Sequence, residues 1–176
     1  MKRKYVIGLD GSGIDEFIRG IEEYKEWLKR CTKTLIQRLA DEGYEVTAAG
    51  FQKAQYDGTN DSAVSVENRG EKVRAVVAVG SSVLFIEFGT GITYPDDHPE
   101  AAKHGMVRGG YGQGHGSQTT WGYYGDPGTH GHIRSEGERG QLVTTHGNPA
   151  NKPMYEAVKR LERRLPGLVR EVFNSD

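Results

Sequence analysis

The chain has 176 residues, of which 35% are hydrophobic and 25 are glycine, and its net charge is −1. That balance excludes global steering toward nucleic acid or a membrane surface, and no apolar run is long enough to span a bilayer. The length predicts one domain, and the single cysteine, Cys31, excludes an internal disulfide.

Met1-Lys2-Arg3-Lys4 has the charge of a signal-peptide start, but Tyr5-Val6-Ile7 is too short for its apolar region, so a cytosolic protein is expected. Lys4–Leu9 reads as a strand or an extended arm, and Asp10-Gly11-Ser12-Gly13 as a turn. Gly8, Gly11 and Gly13 match neither a dinucleotide fingerprint nor a P-loop. Ser12 and Asp15 have the spacing of a capping box.

A helix is predicted from Ile14 to Glu42. Phe17, Ile21, Tyr24, Leu28, Cys31, Leu35 and Leu39 recur at three- and four-residue steps, which places them on one stripe. Cys31 reads as a buried small hydrophobe, and Gly43 as the C-cap. The helix is long for a small domain, so part of its apolar face is expected to meet a neighbouring subunit.

Glu45–Tyr56, Ala63–Glu67 and Lys72–Val79 then alternate as strands, with turns at Asp57-Gly58, at Asn68–Glu71 and at Gly80-Ser81-Ser82. Val83–Phe88 is the most apolar run of the chain and reads as the central strand. Leu84, Ile86 and Phe88 are on its core face, and Glu87 on the other. Gly89-Thr90-Gly91 ends it. These elements predict an α+β fold, with two helices packed on an antiparallel meander.

From Gly89 to Gly140 the sequence shows no period, and a long Gly/His-rich loop is expected. The compact core is then about 4–92 and 141–173. The loop's aromatic residues Tyr111, Trp121, Tyr123 and Tyr124 are candidate partner contacts, because a glycine-rich segment without its own core orders against something else. Gln141–Thr145 is a short strand. Asn151 is a cap and Pro153 a first-turn residue for the last helix, with a break expected at Pro166-Gly167. Arg160, Arg163, Arg164 and Arg170 form an outward basic edge, either solvated or a contact for an acidic partner.

His98, His104, His115, His130 and His132 raise the alternative of a metal-dependent hydrolase. Their spacing matches no recurrent zinc pattern, no cysteine pair completes a structural site, and no nucleophile elbow is present. A small DNA-binding module is the other alternative: tyrosine and tryptophan interleave with Lys103, Arg108, Arg134 and Arg139. Asp96, Asp97, Glu100, Asp126, Glu136 and Glu138 oppose that reading.

Two motifs carry a resemblance. Phe85-Ile86-Glu87-Phe88-Gly89-Thr90-Gly91 closes the central run, and His146-Gly147-Asn148-Pro149-Ala150-Asn151-Lys152-Pro153-Met154-Tyr155 opens the last helix. In this order, around a variable loop, they resemble the minor tail-component family of long-tailed bacteriophages, also described as tail-completion, head–tail joining or neck proteins. The resemblance covers about residues 14–92 and 142–173. It implies a non-enzymatic structural protein with no cofactor and no metal, made in the host cytoplasm and located in the virion at the head–tail junction. It also implies a homo-oligomeric ring, such as a hexamer or dodecamer, between the head connector or head-completion protein and the tail terminator or tail tube protein. DNA would pass through the lumen without sequence-specific binding, and no membrane is involved. The residues carried over are structural: Glu87, Phe88, Gly89, Thr90 and Gly91, with Asn148, Pro149, Ala150, Pro153 and Met154.

Overall fold

A computed structural model describes residues 11–91, 97–107 and 118–174. The expected arm at Lys4–Leu9, the glycine run at 109–116 and Tyr111 lie outside the described residues. The fold is α+β, with a long N-terminal helix, a C-terminal helix and two small antiparallel sheets.

Helix α1 spans Gly11–Gln52, about 63 Å at ~1.5 Å per residue. It already contains Ser12, so the expected capping box does not mark its start. It also absorbs most of Glu45–Tyr56, which is not a strand. Gly43 does not end the helix: a Cβ there would lie 3.3 Å from both Leu161 Cδ1 and Val76 Cγ2. The glycine admits close packing in mid-helix. Thr47 and Phe51 complete the buried stripe in the added turns.

Strands β1 (Ala63–Asn68) and β2 (Arg74–Val79) pair antiparallel from Ala63↔Val79 to Asn68↔Arg74. They form a hairpin and not the expected longer meander, because Val83–Phe88 is helix α2. An apolar run of six residues fits either element by periodicity. Asp61, remote in sequence, accepts the Ser81 and Ser82 amides at 2.8 and 2.9 Å and so closes the start of the helix. The helical turn buries Ile86, Glu87 and Phe88 together but leaves Leu84 47% exposed, so Leu84 is not a core residue.

The segment expected as one long loop also carries structure. It holds a 3-10 turn at Ala102–His104 and strands β3 (Trp121–Tyr124) and β4 (His132–Gly137). These pair on either side of β5 (Gly140–Thr145), giving the order β3-β5-β4. Every residue of β4 is exposed, which is why no alternation marks it in the sequence. A register shift at Ile133/Ser135 interrupts its pairing. Val143 of β5 is fully buried.

Helix α3 runs unbroken over Pro153–Phe173, through Pro166. Its cap is Lys152, in the left-handed region at φ 59°, and not Asn151. It lies antiparallel to α1. Gly50 admits Pro153 (a Cβ there would be 2.6 Å from Pro153 Cβ), Gly43 meets Leu161, Cys31 Sγ contacts the Val172 carbonyl, and Trp27 meets Phe173. The core lies between α3, the second half of α1 and the β1–β2 hairpin, and it includes the buried Cys31.

Candidate functional site

The two sequence motifs, distant in the chain, form one buried junction. Its centre is Glu87, which is 6% exposed. Glu87 Oε2 accepts the Met154 amide at 2.8 Å, and Oε1 accepts the Tyr155 amide at 3.0 Å. A carboxylate placed at free helix N–H groups satisfies them and complements the positive end of the helix dipole. Glu87 therefore caps α3 from α2.

His98 completes this arrangement. Its Nδ1 accepts the Glu100 amide at 3.1 Å, which leaves Nε2 to donate to Glu87 Oε1, also at 3.1 Å. The imidazole packs on Phe88, centroid to centroid 4.4 Å, and edge-on against Tyr155. His98 Nδ1 and both oxygens of Glu87 thus hold backbone amides, and His98 Nε2 holds Glu87 in turn. The geometry joins the end of α2 to the start of α3 through one buried carboxylate that accepts three hydrogen bonds.

The glycines and Asn148 hold the second half of the junction. The Thr90 amide donates to the Asn148 carbonyl at 2.8 Å, and the Asn148 amide donates back to Thr90 Oγ1 at 2.9 Å. Gly89 has φ 81°, and a Cβ there would sit 2.8 Å from the Asn148 oxygen. Gly147 has φ 100°, and its Cβ would sit 2.3 Å from the Thr90 oxygen. Gly91, at φ 84°, would press a Cβ against the Trp121 ring. Ala150 is buried, and the Pro149 carbonyl accepts a bond from Asn151 Nδ2. Asn151 also spans to Gln55, donating to its carbonyl and accepting its amide. The Asn151 and Lys152 amides donate to the Ile86 and Glu87 carbonyls.

Sequence reasoning missed Asp57, which links this junction to the second sheet. It is 6% exposed. Its amide donates to Asn148 Oδ1 at 2.6 Å, Oδ1 accepts the His130 amide at 2.7 Å, and Oδ2 accepts the Thr145 hydroxyl. Asp57-Gly58 reads as an ordinary turn, and no spacing in the sequence announces partners 73 to 91 residues away.

Of the candidate partner contacts, Trp121 and Tyr123 belong to β3 and are half-buried, while Tyr124 is 56% exposed. The Tyr123 hydroxyl donates to the Asp126 carbonyl at 2.7 Å, and burial pushes its pKa up to about 12, aided by the charges of Asp57 and Asp126. Among the described residues the histidines do not gather at one site. His130 contributes its backbone to Asp57, His132 begins the exposed β4, and His146 Nδ1 pairs with the Thr120 hydroxyl. Among the described residues, no three His, Cys, Asp or Glu side chains gather as a metal-ligand set, and no helix is long and apolar enough to cross a membrane. Comparisons of the chain with protein-family models, curated proteins and solved structures find no match.

Proposed function

We propose that this protein is a non-enzymatic structural component of a tailed bacteriophage, forming a ring at the head–tail junction through which DNA passes. One observation carries the reading. The two motifs that resemble the tail-completion family meet in space, with Glu87 of the first capping the helix opened by the second. A junction whose buried polar groups hold backbone amides and one another suits a scaffold. The partners on this reading are further copies of the chain, the head connector or head-completion protein, and the tail terminator or tail tube protein. The finer assignments belong to the same proposal: Trp121, Tyr123 and Tyr124 lie in the segment that contacts a neighbour, and the protein works in the virion.

Deleting the gene from the phage tests the role. DNA-filled heads and finished tails should accumulate unjoined, and complementation should restore virions. Normal virions from the deletion would sink the assignment.

A further inference from the structure

Residues 97–107 lie against the α2–α3 junction, and the buried side chain that fastens them is His98. Among the described residues, two hydrogen bonds tie this segment to the rest of the fold: His98 Nε2 to Glu87 Oε1 at 3.1 Å, and Lys152 Nζ to the Asp97 carbonyl at 3.4 Å. The second is long and lies at the surface. Phe88 adds ring contacts, to His98 at 4.4 Å and to His104 at 5.9 Å between centroids. Beyond His98 the chain turns tightly. The Ala101 amide donates to the His98 carbonyl at 3.1 Å, the Met106 amide donates to the Ala101 carbonyl at 2.9 Å, and Ala101 is buried.

Both ring nitrogens of His98 are committed. Nδ1 accepts the Glu100 amide inside the turn, which leaves the ring's one hydrogen on Nε2, facing Glu87. A neutral imidazole has one donor and one acceptor, whereas an imidazolium has two donors. A second ring proton would stand at Nδ1 against the Glu100 N–H, donor to donor at 3.1 Å. The ring has no room to turn away, because Glu87 holds Nε2 while Phe88 and Tyr155 pack against it. The backbone of the turn is the part that yields.

The charges around the ring fit this division. Glu87 of α2 is the charged group in contact with it, and an added ring charge strengthens that contact. The same carboxylate holds the Met154 and Tyr155 amides, so the start of α3 stays capped. From the α3 side, Lys152 reaches the Asp97 carbonyl, Tyr155 meets the ring edge-on, and Lys159 lies 5.6 Å over Tyr155. On the segment itself, Glu100 pairs with Lys103 and His104 at 3.5 and 3.6 Å, at the surface.

We propose that His98 is an acid-released latch. Neutral, it holds the 98–106 turn against the α2–α3 junction; a proton at Nδ1 expels the Glu100 amide and frees the turn, while Glu87 keeps both the ring and α3. The docked turn leaves Nδ1 unprotonated and the released turn takes the proton, so release gains as pH falls. Histidine is the side chain that titrates between about pH 5 and 8. One proton limits the response to about tenfold per pH unit. Nothing in this latch depends on the head–tail role.

Amide hydrogen exchange of the full chain, followed by mass spectrometry and divided by the rate of an unstructured peptide at the same pH, reads the latch. From pH ~7.5 to pH ~5.5, peptides over 98–106 should lose protection by about tenfold or more, while those over the start of α3 keep theirs. His98→Asn keeps an acceptor near the Nδ1 position and has no ring to titrate. Its protection over 98–106 should be the same at both pH values, whatever its level. His104→Gln removes the other histidine of the segment and should respond as wild type does. Nitrogen-15 spectra of the His98 ring at neutral pH should place its hydrogen on Nε2. Unchanged wild-type protection, a response that survives in His98→Asn, a response lost in His104→Gln, or a ring hydrogen on Nδ1 overturns the proposal. Equal loss of protection at Met154 and Tyr155 also overturns it, since Glu87 would then have let go of α3. If His98→Asn does not fold, the wild-type and His104→Gln responses and the ring spectra decide the matter.

Discussion

The Glu87 carboxylate accepts the Met154 amide at 2.8 Å across 67 residues of sequence, so one short helix supplies the cap of another. Charge-assisted hydrogen bonds contribute about 1.5–3 kcal/mol net, and N-caps about 0.5–2. Glu87→Ala also strands the donor on buried His98. We expect it to lower stability by about 2–4 kcal/mol, read as a shift of the urea midpoint at constant slope. Glu87→Gln keeps the shape but turns one acceptor into a donor facing an amide, and should lose an intermediate amount. A change below about 0.5 kcal/mol, the range of ordinary surface substitutions, would show that the cap contributes little.

The glycines of the junction give a graded series. At Gly147 and Gly89 the backbone has positive φ, and the missing Cβ would overlap carbonyl oxygens at 2.3 and 2.8 Å. Strained backbone of this kind costs about 1–3 kcal/mol before any clash. Gly147→Ala and Gly89→Ala should therefore each destabilise by at least about 2 kcal/mol. Gly137, with nothing within 4 Å of its Cβ position, is the control and should move the thermal midpoint little. Equal effects at all three positions would refute the close approach of the motifs.

Asp61 makes acid stability testable. Its carboxylate accepts the Ser82 and Ser81 hydroxyls at 2.6 and 2.7 Å and both their amides, and these bonds hold its pKa well below the ordinary aspartate value. A depressed pKa in the folded state gives stability that is complete above the unfolded value, near ~3.9, and fades as pH falls below it. Asp61→Asn removes this titration. The variant should be less stable than wild type at neutral pH and lose less between neutrality and strong acid. Parallel acid-unfolding curves for the two proteins would exclude Asp61 as a contributor.

What was legible in the sequence follows the physics of each element. The heptad-like stripe from Phe17 to Leu39 and Pro153 in a first turn announce both long helices, because helical periodicity and a first-turn proline are local signals, whereas the expected caps at Ser12, Gly43 and Asn151 do not mark their ends. The β1–β2 hairpin and β5 were equally visible from alternation. Val83–Phe88 was misread because its helical state depends on Asp61, which is remote in sequence. Glu45–Gln52 continues α1 past Gly43 because Leu161 and Val76 need the space where a side chain would stand. Strand β4 has no buried residue and so no pattern to read. Both motifs of the junction are visible in the sequence, but their contact is not: it rests on Glu87 and Asp57 accepting backbone amides 67 to 73 residues away.

Tyr123 supplies a test at the other end of the pH scale. Its hydroxyl is held by the Asp126 carbonyl, and its pKa is pushed up to about 12, first by burial and then by nearby negative charge. Burial also raises Tyr56. An unfolded tyrosine ionises near ~10. The raised folded value means that stability is intact below ~10 and is lost as pH climbs toward about 12, because only the unfolded chain releases the proton easily in that window. Spectrophotometric titration of the nine tyrosines should therefore show a late component that is smaller in Tyr123→Phe. The same substitution should lose about 1 kcal/mol at neutral pH with its hydrogen bond, and should flatten the decline in stability above pH ~10. If the alkaline decline is as steep in Tyr123→Phe as in wild type, Tyr123 is not the group responsible, and its place under the β3–β5 pairing contributes packing alone.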